Sequence, residues 1–114
     1  MRLLPCTVLA FAILFAPEPR ATAEGGPDHW AVSGIAAGHV LDIFAEPSSG
    51  SPRLGSIPAN GRKLDNLGCI NEPTYQEWLA MSEEERGQAA ERRWCRVRYR
   101  GVAGWVRGKF LKED

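Results

Sequence analysis

Trp94-Cys95-Arg96-Val97-Arg98-Tyr99-Arg100-Gly101-Val102-Ala103-Gly104-Trp105-Val106-Arg107-Gly108-Lys109-Phe110-Leu111 is the stretch that decides the fold. It reads as a strand, a tight turn, a second strand and a short closing turn. β-branched and aromatic residues alternating at period two predict a half-buried strand. Cys95, Val97 and Tyr99 fall on one face, and Trp94, Arg96, Arg98 and Arg100 on the other. Gly101 supplies the turn, and Gly104 predicts a close backbone approach ahead of Trp105 and Val106. The result is a hairpin with a packed side and a basic side.

Immediately upstream, Ile70 to Arg93 breaks the strand pattern. Tyr75, Trp78 and Leu79 recur at i, i+3 and i+4, the spacing of an amphipathic helical turn. Ser82-Glu83-Glu84-Glu85 has capping-box spacing and starts a second helix through Ala89 and Ala90. This insert carries Glu72, Glu77, Glu83, Glu84, Glu85 and Glu91, whereas Arg92, Arg93, Arg96, Arg98, Arg100, Arg107, Lys109 and Lys112 follow it. The plain expectation is mutual neutralisation on one surface; the sharper alternative is a basic face for an anionic ligand.

Further upstream the chain alternates short strands with turns. His29 to Ile35 reads as a first strand and Val40 to Phe44 as a second, with Leu41 and Ile43 opposed to Asp42. Glu46-Pro47-Ser48-Ser49-Gly50-Ser51-Pro52 is a loop by composition. Arg53 to Pro58, the Asn60-Gly61 pair and Arg62 to Cys69 read as strand, hairpin turn and returning strand. Several short strands at close spacing predict a small barrel or sandwich, and 114 residues leave room for one core.

The first residues read as an export signal. Arg2 precedes a mostly apolar run from Leu3 to Ala16; Pro17 and Pro19 break it, and Ala21-Thr22-Ala23 offers a small-x-small cleavage pattern. The run is short of the roughly 18 apolar residues a membrane span needs, and Pro5 lies inside it. Cys6 sits near the start of the apolar run, where a lipid-attachment box would need it after the run. The expected organisation is a signal peptide at 1–23, a loose mature N-terminus at 24–31 and one domain at 32–114 with its helical insert at 70–93. Of fourteen basic and fourteen acidic residues, only Arg2, Arg20 and Glu18 lie in 1–23. The remainder is close to neutral, which argues neither for nucleic acid nor for stable attachment to an anionic membrane. A periplasmic or extracellular protein with Cys69 and Cys95 left after cleavage is expected to join them. That bridge constrains the unfolded chain by about 3–3.5 kcal/mol in the loop-entropy picture.

With these residues laid out, the chain from about Val32 to Leu111 resembles the bacterial Src-homology-3-like (SH3b) domain family. Leu41-Asp42-Ile43 with Glu46-Pro47-Ser48, then Leu54-Gly55-Ser56-Ile57-Pro58 up to Gly61, then Trp94-Cys95-Arg96-Val97 and Gly104-Trp105-Val106 closing at Phe110-Leu111 carry the resemblance. Phe44-Ala45 departs from the arginine and small residue common there, and the Cys69–Arg93 insert lengthens a connection that is usually short. The resemblance implies a mainly β fold, a small strongly bent barrel of five to six strands with a helical insert before the C-terminal hairpin. It also implies a non-enzymatic module binding a cell-wall peptide or an envelope protein.

Catalysis finds little support in the residues. His29 and His39 are far in sequence from both cysteines, no nucleophile-elbow pattern occurs, and four clustered zinc ligands are missing. No cofactor or metal is expected. Trp105 is expected in the core and Trp78 between insert and barrel, while Trp94 reads equally as groove or as core. The family's groove lies between the first long loop and the Trp94 strand, so the resemblance adds Phe44, Glu46 and Phe110 to Trp94 as ligand-binding candidates. The alternative is a structural or regulatory envelope protein that acts through the charged insert and takes no small ligand.

Overall fold

Residues 26–114 are described by a computed structural model; the expected signal peptide at 1–23 lies outside the described residues. The elements in order are β1 (His29–Val32), β2 (Val40–Phe44), β3 (Arg53–Pro58), β4 (Leu64–Ile70), α1 (Tyr75–Ala80), α2 (Glu83–Arg92), β5 (Trp94–Tyr99), β6 (Val102–Arg107), a 3-10 turn (Gly108–Phe110) and β7 (Leu111–Glu113). The fold is mainly β: seven antiparallel strands form one curled half-barrel sheet in the order β3-β2-β6-β5-β4-β1-β7. The sequence predicted five to six strands. The seventh, β7, is three residues long and shows no alternation to read; it exists because β1 offers it a partner, with Val32 opposite Leu111.

β5 and β6 form the expected hairpin, paired from Trp94 opposite Arg107 to Tyr99 opposite Val102. Its two-residue turn is Arg100-Gly101, both at positive φ (51° and 84°), the backbone twist that suits a tight hairpin. Gly104 is required where it stands. A Cβ there would lie 2.6 Å from Ile43 Cγ2 and 2.7 Å from the Phe44 carbonyl oxygen, so only glycine lets β2 and β6 approach.

Inside the curl, Leu41, Ile43, Ile57, Leu64, Cys95, Val97 and Val106 pack with Trp30, Val32 and Leu111 into one core. Burying these side chains is the main favourable term in folding, at about 1.5–3 kcal/mol for each large aliphatic. Cys69 and Cys95 face each other across the β4–β5 ladder and are joined by a disulfide. β4 reaches that register through a bulge: Asn66 pairs with Val97 and Cys69 with Cys95, so Leu67 and Gly68 together oppose Arg96. Gly68 takes the positive φ the bulge demands, and its N–H donates to Asn66 Oδ1 at 2.8 Å.

Three expectations are corrected. Asn60-Gly61 does not join a hairpin, because β3 pairs only with β2 whereas β4 lies between β5 and β1. The pair closes a β-turn, Gly61 N–H to Pro58 O at 2.8 Å, and the chain then crosses to the other side of the sheet. The ordered sheet begins before the expected boundary at Val32, since His29–Val32 is β1, paired with both β4 and β7. Trp105 is half-buried and lies outside the core cluster. Gly104 and Val106 point inward, so alternation turns Trp105 to the outer face, opposite Arg96 on β5 and Phe44 on β2.

Candidate functional site

The insert occupies the predicted span, between Ile70 at the end of β4 and Trp94 at the start of β5. Both helices start in capping boxes. Ser82 caps α2 with Glu85 as foreseen; Thr74 caps α1 with Glu77, a Thr-x-x-Glu signal that was present in the sequence but not read. The helices differ from expectation in what they bury. α1 buries no residue and α2 only Ala89. Trp78 is 38% exposed, with the Arg86 guanidinium from α2 over its ring at 4.8 Å, and it lines a cleft together with Gly108, Lys109 and Leu111 of the barrel.

Polar links tie the insert down. Glu91 on α2 accepts from Arg107 Nη2 at 3.0 Å and from Lys109 Nζ at 2.8 Å. The Lys109 hydrogen bond, helped by both positive charges, holds the Glu91 carboxyl below its ordinary value. Arg93 donates to Glu72 at 3.1 Å and to the Gly108 carbonyl at 2.6 Å, and its guanidinium lies over Trp30. Acidic insert and basic C-terminal part thus do neutralise each other at Glu91, while Glu72 pairs with Arg93 at the insert's own end.

The four expected ligand-binding residues are only partly brought together. Phe44 and Phe110 line one open depression of about 480 Å³ with Arg107, His39 and Ser49. Trp94 lies beside this depression but is largely covered, at 9% exposure. Phe44 meets its ring edge-on, with centroids 6.0 Å apart, and Arg107 lies over it at 5.5 Å. Trp94 therefore supports the wall of the depression and offers little surface to a ligand. Glu46 is exposed and does not line the depression; the loop after it closes on itself through Ser51 Oγ, which donates to the Glu46 and Ser48 carbonyls.

Arg107 was not singled out by the sequence reading and is the central residue of this site. It lines the depression, covers Trp94 and reaches the insert at Glu91, while its Nε is buried without a hydrogen-bond partner. Its place on the outer face follows from the same alternation that turns Trp105 outward. A depression with two phenyl rings, an arginine and a histidine can hold an apolar side chain beside a carboxylate or carbonyl. Among the described residues, no three His, Cys, Asp or Glu side chains gather as a metal site, and no helix is long and apolar enough to cross a membrane.

Comparison with protein-family models, curated proteins and solved structures found no match to this chain.

Proposed function

We propose that this chain is an exported, non-enzymatic binding module of the SH3-like kind, holding an extended cell-wall peptide in the depression between β2 and the 3-10 turn. The observation that carries the reading is the convergence of Phe44, Phe110 and Arg107 on one open depression. Two rings take the apolar part of a short peptide, and the arginine takes a carboxylate. The Cys69–Cys95 disulfide is compatible with an oxidising compartment. The curled β sheet with its closing hairpin agrees with the resemblance read from the sequence.

The test is sedimentation of the oxidised protein with purified peptidoglycan, wild type beside Ser49→Trp. Ser49 is exposed and lines the depression, so the indole fills it without disturbing the core. Wild type is expected to pellet with the wall and Ser49→Trp to stay in solution at an unchanged melting temperature. Absence of the wild type from the pellet would overturn the reading.

One observation favours a second reading, an envelope protein that docks a protein partner through its insert. Tyr75 and Leu79 on α1 are 72% and 54% exposed. Crosslinking in the envelope that depends on Tyr75 and Leu79 but survives Ser49→Trp would replace the first reading with this one.

A further inference from the structure

Beyond buried Trp94, the outer face of β5 carries a row of exposed arginines. Arg96 and Arg98 project from it at alternate positions, and Arg100 follows at the turn. Arg96 is exposed and has no ion-pair partner among the described residues; Arg98 reaches only Asp65, at 3.7 Å, which His29 also approaches at 3.4 Å. By contrast, Lys109 and one terminal nitrogen of Arg107, Nη2, are engaged by Glu91, and Arg53 by Asp42.

The neighbouring strands keep this face open. On β6, Ala103 stands opposite Arg98 and half-buried Trp105 opposite Arg96. On β4, the bulge sets Leu67 and Gly68 against Arg96, so no carboxylate of that strand stands opposite it. From the structure we infer that the outer face of β5 is a docking strip for an extended acidic peptide segment with carboxylates at every second residue. Alternate side chains of a strand repeat at about 6.6–6.8 Å, and the same period governs alternate carboxylates of an extended partner. Arg96 and Arg98 can each then take one carboxylate, with the partner's backbone lying along Trp105. The strip adjoins the depression through the Phe44–Trp105 pairing but uses other charged residues, and it does not depend on wall binding.

The test is fluorescence anisotropy at low salt with the oxidised protein and two labelled octapeptides of identical composition. One alternates glutamate and serine; the other groups them as Glu-Glu-Ser-Ser, repeated. The alternating peptide is expected to bind about tenfold more tightly, and Arg96→Gln to remove about tenfold, the scale of one charge-assisted hydrogen bond. Lys112→Gln, on β7, is the charge-matched control and should leave binding unchanged. Equal affinity for both peptides, equal loss in Arg96→Gln and Lys112→Gln, or tighter binding of heparin or a twelve-residue thymidine oligonucleotide than of the alternating peptide would each overturn the proposal.

Discussion

The β5–β6 hairpin and the helical insert adjoin in sequence and are held in opposite ways. β5 buries Trp94, Cys95 and Val97 within six residues, whereas α1 buries nothing in a helix of the same length. The hairpin is fixed by shape: Gly104 admits β2, and Val97 and Val106 are fully enclosed. The insert is fixed by a covalent bond at its base, two capping boxes and the charged contacts of Glu91 and Arg93. Non-directional burial resists solvent changes that ion pairs do not, because exposed charges are screened by salt and titrate with pH. One chain therefore combines a region that fails only when the fold fails with one that can loosen by itself.

The largest expected effect breaks the hairpin side of this contrast. Trp94→Ala removes the indole between Phe44 and Arg107 and should cost about 3–4 kcal/mol in chemical denaturation. Leu79→Ser on α1 should stay within about 0.5 kcal/mol, since Leu79 is mostly exposed. Similar losses in the two variants would show that α1 packs more firmly than its exposure implies.

Replacing both Cys69 and Cys95 by alanine comes next. The loop-entropy picture gives about 3 kcal/mol for the 26-residue separation. Limited proteolysis of the variant should cut first between Asn71 and Arg92, before the sheet opens. Simultaneous loss of insert and sheet would erase the distinction between the regions.

Acid supplies the smallest and most local effect. Glu91 is held below its ordinary value by Lys109 and Arg107, and Asp114 is held below its own by Arg62 and the Lys63 N–H. A carboxyl lowered by folding contributes stability above its unfolded value, and that contribution disappears as pH falls through the lowered one. The protection of α2 amides against hydrogen exchange should accordingly fall as pH drops below about 4, while amides of β5 and β6 keep theirs. Glu91→Gln should remove most of that pH dependence from α2; an unchanged profile would mean that the ion pairs do not hold the helix.

Much of this was legible from sequence because it is local. The faces of β5, the Gly101 turn, the close approach at Gly104, the ends of the insert and the Ser82 cap depend on residues a few positions apart. The Cys69–Cys95 bridge followed from cysteine number and the compartment expected from the sequence. Trp94 and Trp105 were harder. Alternation puts both on the outer face, but nothing local says that Phe44 and Arg107 would cover one of them. Of the residues the resemblance drew in, Phe44 and Phe110 line one depression, whereas the structure leaves Glu46 in a self-bonded loop. Arg107 was missed because its importance comes from the depression it lines with β2 residues and from its contacts to the insert and Trp94, all distant in sequence.

The sequence by itself determined which segments are strands, which are helices, where the turns fall and which face of each strand is apolar. These are properties of backbone propensity and period, carried within each segment. Only the tertiary structure decided the order β3-β2-β6-β5-β4-β1-β7, the passing over of Asn60-Gly61 as a hairpin, and the recruitment of β7 by β1. Period two says which way a side chain points and is silent about which strand lies beside it. That choice is made by the burial of one shared core, to which every strand contributes and which none encodes alone.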